Sequence, residues 1–235
     1  MSTYLLVPGA GGSAWFWHRV TPLLEARGHT VIAPEIDMSD PALGLADYTD
    51  AIVAAADGAR DVVLVAQSMA GFYGPPACAR LDVTLLVLLC PMIPAPGETP
   101  GGWWASSGQL DARRASELRA GRDPDAPFDV VETFFHDVPD DVTKAALAGA
   151  DGEATDAPFG ETWALDAWPD VPTAVIAGAH DRLLPLDLVT RLSRERLGVE
   201  PHAVQAGHCA ALAAPAELVE RLEAARTATQ ARVPG

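Results

Sequence analysis

No stretch of this sequence approaches the ~20 uninterrupted apolar residues that a helix needs to cross a bilayer, so no membrane span is expected. The start, MSTYLLVPGAGG, has no basic segment and only a short apolar run, so it does not read as a secretory signal. Cysteine is scarce: Cys78, Cys90 and Cys209 share neither a CxxC spacing nor a Cys/His metal pattern. That argues against a disulfide scaffold and against a cysteine-held metal; three scattered thiols fit a reducing compartment, each buried as a small apolar side chain. Basic residues are few, 16 Lys and Arg against 32 Asp and Glu, for a net charge of −16. Phosphate backbones are bound by Lys/Arg stripes, so nucleic acid is not expected as a partner, and anionic membranes and polyanionic substrates are disfavoured. Internal repeats are absent, and only the last few residues read as disordered. The expectation is a cytoplasmic protein acting on a small molecule, with no cofactor and no metal; the oligomeric state is not legible.

What is present is globular material, 49% hydrophobic over 235 residues. That suits one large domain, or a domain with an insertion, whose core needs no disulfide or metal to hold it. Short apolar runs read as strands at Tyr4–Val7, Thr30–Ala33, Val62–Val65, Thr84–Leu89, Thr173–Ala177 and His202–Gln205. Most are continuously apolar, the pattern of strands buried on both faces. Helical stretches lie between or after them: Phe16–Arg27 before Gly28, Leu45–Ala56 before Gly58, Ser68–Arg80, Leu186–Leu197 before Gly198, and Glu217–Ala228. This alternation predicts an α/β fold, a doubly wound, mostly parallel six-stranded sheet with helices on both sides. Between Pro91 and Pro172 the pattern changes to Pro/Gly-rich loops, clustered aromatics and separate helical stretches. Residues 92–171 are therefore expected to be an inserted helical cap, with 1–91 and 172–235 forming the core.

The stretch VVLVAQSMAGFY, residues 62–73, puts a single hydroxyl, Ser68, where an apolar strand ends and a helix begins. In an open parallel sheet ligands bind beyond that edge. If the chain turns sharply there, Ser68 is thrown into the cleft and its neighbours must be small, as Ala66, Ala70 and Gly71 are. This is a small-x-Ser-x-small nucleophile elbow with alanine where glycine is usual. A serine capping a helix after a buried strand would read the same way, so the partners decide.

A serine nucleophile needs a histidine to take its proton and a carboxylate to orient that histidine, in the chain order Ser, acid, His for this fold. AVIAGAHDRLLP supplies Asp181 past the fifth strand, and AVQAGHCAAL supplies His208 past the sixth. Each has a plainer alternative: Asp181 as a turn residue before Pro185, His208 as a residue near a helix start. His136, in FFHDVP, is the rival histidine; His180 is discounted as the base because its side chain should diverge from that of Asp181. An oxyanion needs two backbone N–H donors. Met69 follows the serine, and the glycine-rich VPGAGGSAW loop follows the first strand. A phosphate loop is the competing reading of that loop, but GxGxxG is not matched in order and no GK[ST] follows.

LLVPGAGGSAWFWHRVTPLLEARGHTV, AQSMAG, AGAHDRLLP and AGHCAAL together resemble the α/β-hydrolase superfamily, and within it the branch of plant methyl-ester hydrolases and hydroxynitrile lyases. The resemblance implies Ser68 as nucleophile, His208 as base, Asp181 as its acid, and the N–H groups of Met69 and Ala10 as the oxyanion hole. Pro8-Gly9 stands where the family usually has His-Gly, Gln67 replaces the more usual histidine, and the family's leading hairpin is missing. The lyases carry a threonine in the oxyanion loop and a lysine after the histidine; here those places hold Gly9 and Cys209, which favours hydrolysis. The expectation is a carboxylesterase-like serine hydrolase for a neutral, small to medium, partly aromatic ester or lactone. Its pocket would be lined by Gly9, Trp15, Trp17, Trp103 and Phe135. A lyase, cyclase or cofactor-free enzyme of secondary metabolism on the same fold is the alternative, and a non-catalytic binding protein a third.

Overall fold

Six runs pair into one sheet; the four inner ones offer largely unbroken hydrophobic surface to both sides, whereas the two edge runs are partly exposed. In the computed structural model, which describes residues 1–149 and 155–231, the strands are β1 (Thr3–Val7), β2 (Thr30–Ile32), β3 (Val62–Gln67), β4 (Val83–Leu89), β5 (Thr173–Gly178) and β6 (His202–Val204). All pairings are parallel, in the order β2-β1-β3-β4-β5-β6. Side chains alternate between two cores. Leu5, Val7, Leu64, Leu86, Leu88 and Val175 face one side, while Tyr4, Leu6, Val63, Val65, Val87 and Ile176 face the other. This double burial is why the strands read as continuous apolar runs rather than alternating ones.

The helices follow as α1 (Thr21–Glu25), α2 (Leu45–Ala55), α3 (Ala70–Tyr73), α4 (Pro100–Ser106), α5 (Gln109–Arg119), α6 (Asp140–Ala148), α7 (Leu186–Leu197), α8 (Ala210–Ala213) and α9 (Pro215–Gln230). Two expected helices are broken. In place of Phe16–Arg27 there is a 3₁₀ turn at Ala14–Trp17 and then the short α1, whose first turn holds Pro22. In place of Ser68–Arg80, α3 gives way to a 3₁₀ turn at Pro75–Ala79. Proline has no N–H for the i→i−4 bond, so Pro22 starts a new helix and Pro75-Pro76 ends one. Among the described residues no helix is long and apolar enough to cross a membrane. The expected disordered tail falls on residues outside those described.

The strand order reverses direction between β1 and β3, and the crevice beyond the carboxyl ends of these two neighbours is where such sheets bind ligands. The loop after β1 and the turn after β3 both open there. Between β4 and β5 the chain runs through α4, α5, a π-helical turn at Val131–Phe135 and α6. The stretch from Met92 to Phe159, these segments with the loops beside them, supplies most of the crevice's apolar wall.

Candidate active site

Ser68 is built into a strained turn. Its φ of 54° lies in the left-handed region, a conformation that costs a residue with a Cβ about 1 kcal/mol or more. The turn is held from both sides: Ser68 N–H donates to the carbonyl of Leu89 at 2.9 Å, and the Ser68 carbonyl accepts from Met92 N–H at 3.0 Å and Gly71 N–H at 3.1 Å. Small neighbours are needed for this crowding. A Cβ at Gly71 would sit 1.9 Å from the Met92 carbonyl oxygen, and one at Gly9 would sit 2.8 Å from the Ser68 Cβ.

The three sequence-predicted triad residues meet. Ser68 Oγ lies 3.0 Å from His208 Nε2, and His208 Nδ1 lies 2.8 Å from Asp181 Oδ2. With the Nδ1 proton donated to the carboxylate, Nε2 is the tautomer that accepts from the serine hydroxyl. Asp181 is locked as an acceptor, since its other oxygen takes the N–H groups of Leu183 at 2.8 Å and Leu184 at 2.9 Å. All three residues are buried. Phe134 stands edge-on to the imidazole with centroids 5.3 Å apart, screening it from water on that face.

Met69 and Ala10 both line the cavity beside Ser68, and neither backbone N–H has a protein acceptor among the described residues. Gln67, two residues ahead of α3's neighbour Met69, ties the site's loops together. Its Oε1 accepts from Gly9 N–H and its Nε2 donates to the His208 carbonyl, both at a long 3.4 Å. Cys209, next to the histidine, also reaches the cavity, but burial and then the carboxylates of Asp181 and Asp137 push its thiol well above the usual range. It is a neutral thiol and no rival nucleophile.

The cavity measures about 520 Å³. Of the expected pocket residues, Gly9 and Phe135 line it, whereas three tryptophans do not. Trp17 is 1% exposed and packs with Tyr4 and Leu6 under the opposite face of the sheet. Trp103 is fully buried, its indole N–H donating to the Ile93 carbonyl, and its neighbour Trp104 takes the place in the cavity wall. Trp15 borders an adjoining cleft, where it stacks on His18 at 4.3 Å. His136 is turned away, bonding the His180 carbonyl at 3.0 Å. Its neighbour Asp137 is the residue that sequence reasoning passed over: its Oδ2 accepts from Gly207 N–H at 2.6 Å, pinning the loop that carries His208. The only signal for it was its place in FFHDVP beside a histidine already under suspicion.

Known proteins share parts of this description. A rice protein (Oryza sativa subsp. indica) named Probable esterase PIR7A is 34% identical over 113 residues, covering 42% of this chain and 42% of its own, so the match spans less than half of that relative. Two solved structures share the fold. Methylesterase MES16 from Arabidopsis superposes with a TM-score of 0.75 at 18% identity, covering 97% of this chain and 99% of that one. A pyrethroid hydrolase from Sphingobium faniae JZ-2 does so with a TM-score of 0.72 at 20% identity, covering 97% and 98%. Residues 4–221, which hold all of the sheet but Thr3 and every residue of the site, match the sequence profile of the alpha/beta hydrolase family, and the chain belongs to it.

Proposed function

We propose that the protein is a serine hydrolase that cleaves carboxylic esters or lactones of small to medium, apolar substrates through an acyl-enzyme. The observation that carries the reading is the unbroken hydrogen-bond line from Asp181 through His208 to a serine held at positive φ. His208 takes the Ser68 proton as Oγ bonds to the carbonyl carbon. The carbonyl oxygen becomes an oxyanion between the N–H groups of Met69 and Ala10, and His208 then passes its proton to the departing alkoxide. Water, deprotonated by the same histidine, attacks the acyl-enzyme, and collapse of the second tetrahedral species returns the proton to Ser68. Asp181 keeps the imidazole in the productive tautomer and stabilises the imidazolium. Residues 92–171 serve as the cap over the site, and the setting is cytoplasmic, with no added cofactor. The apolar wall supports an apolar substrate, since it offers few groups to replace lost water hydrogen bonds.

A panel of p-nitrophenyl acetate, butyrate, octanoate and decanoate tests the reading. Turnover that depends on Ser68 and favours longer acyl chains over acetate is expected. Absence of turnover across the panel, with binding of the esters demonstrated, would contradict it.

Two further variants probe the scaffold. Gly9→Ala is expected to lower kcat/KM by on the order of 10²-fold with little change in melting temperature, because the new methyl meets the Ser68 Cβ and one of the two must shift. Steady-state kinetics beside a thermal melt would check it. Asp137→Ala is expected to lower kcat roughly tenfold with KM nearly unchanged, because an unpinned loop lets His208 drift from its bond to Ser68. Asp137→Asn keeps an acceptor for the Gly207 N–H and should recover most of the loss. Equal losses in the two variants would assign the effect to the carboxylate's charge instead.

A further inference from the structure

The chain carries 32 acidic residues, yet none of the described residues lining the active-site cavity is Asp or Glu, and apart from His208 and the neutral thiol of Cys209 its only ionisable lining residue is Arg113. Arg113 stands apart in a second way. Every other arginine among the described residues is engaged by a carboxylate or a backbone carbonyl. The guanidinium of Arg113 has instead an aromatic ring beneath it, Phe128, at 5.7 Å from the ring centroid. On its own helix Asp111, two positions back, is turned about 200° away, and Glu117, one turn on, is held bidentately by Arg122.

This cation is positioned by its surroundings. One turn before it on α5, Gln109 is buried and donates to the Leu183 carbonyl at 2.6 Å, anchoring the helix to the cavity wall. The segment carrying Phe128 is tied back by the bidentate pair between Arg114 and Asp125. Leu110 and Phe128, 68% and 56% exposed, flank Arg113 at the mouth of the cavity, whereas Ser68 and His208 are buried at its floor. Two phenyl rings join the ends: Phe128 meets Phe134 at 6.1 Å, and Phe134 meets the His208 imidazole at 5.3 Å. An apolar channel thus runs from a serine and histidine to an arginine whose planar donors suit a carboxylate.

Resting on the hydrolytic reading above, the geometry points to a defined substrate class: esters with an extended apolar portion that ends in a carboxylate, received by Arg113 at the mouth while Ser68 engages the ester at the floor. The net charge of −16 works against an anion at long range, but that field is screened over roughly 8 Å at physiological salt, and no described carboxylate lines the cavity beside Arg113. Phe128 holds the guanidinium without consuming its donors, which leaves them for the ligand. A substrate carboxylate would thus fill donors that no described residue takes.

The test compares p-nitrophenyl half-esters of adipic, suberic and sebacic acid with p-nitrophenyl hexanoate, octanoate and decanoate. Butyryl esters of ω-hydroxyoctanoic and ω-hydroxydecanoic acid, against butyryl octanol and decanol, cover the opposite orientation. In one of the two series, the ratio of kcat/KM for the anionic ester to that for its neutral counterpart is expected to fall about tenfold in Arg113→Gln. It should be partly kept in Arg113→Lys and shrink with added salt. Ratios within twofold of wild type in both series would overturn the assignment while leaving the hydrolase intact. If no ester is turned over, the hydrolytic reading fails separately, and calorimetric titration with decanoate still decides about Arg113. Binding weakened about tenfold in Arg113→Gln supports the subsite, and equal binding overturns it.

Discussion

Ser68→Ala is expected to lower kcat/KM toward p-nitrophenyl butyrate by on the order of 10⁴–10⁶-fold, leaving only what binding and the oxyanion donors achieve without a nucleophile. The loss should fall on kcat, because removing one oxygen leaves the apolar wall that binds substrate unaltered. Folding should survive. Serine and alanine share the cost of a Cβ at φ 54°, so the substitution adds no backbone strain, and the turn is held by backbone hydrogen bonds from Gly71, Met92 and Ser68 itself. Kinetics and a thermal melt on the same preparation check both halves. A large fall in melting temperature would mean that Ser68 holds the fold, not the chemistry.

Asp181→Asn is expected to cost on the order of 10⁴-fold in kcat, and the hydrogen bonds around it say why. One carboxylate oxygen accepts from two backbone N–H groups, Leu183 and Leu184, and the other accepts from His208. In asparagine the carbonyl oxygen must stay with the two N–H donors, since an amide NH₂ there would oppose both. The NH₂ then faces the imidazole and donates to Nδ1, which drives the ring proton to Nε2. That nitrogen now points a proton at Ser68 and can no longer accept one. Because serine and aspartate act through the same histidine, Ser68→Ala/Asp181→Asn should be little slower than Ser68→Ala alone. Full additivity of the two losses would show that the residues act separately.

The sheet was legible because continuous apolar runs such as VVLVAQ have a single physical explanation, burial on both faces, and the spacing between them leaves room for crossover helices. Ser68, Asp181 and His208 were legible because each follows a strand, and a parallel sheet brings all strand ends to one edge. Helix continuity was less so: Pro22 and Pro75-Pro76 cut segments whose apolar spacing alone looked unbroken. The pocket lining was least legible. Adjacent residues on a helix point about 100° apart, so Trp103 goes to the core and Trp104 to the cavity, and no periodic signal in a Pro/Gly-rich stretch says which. Asp137 was hidden for another reason: its partner is a backbone N–H 70 positions away, and a backbone group leaves no trace in the side-chain pattern. Arg113 was hidden likewise, since nothing in one sequence tells an arginine with a carboxylate partner from one without.

Reaction with a fluorophosphonate, read by intact mass and peptide mapping, tests most directly whether Ser68 is an activated nucleophile. A single adduct on Ser68 is expected in the wild-type protein, none in Ser68→Ala, and labelling slowed by on the order of 10³-fold or more in His208→Ala. An adduct on another residue, or none while the same phosphonate competes with an apolar ester for the cavity, would contradict the account.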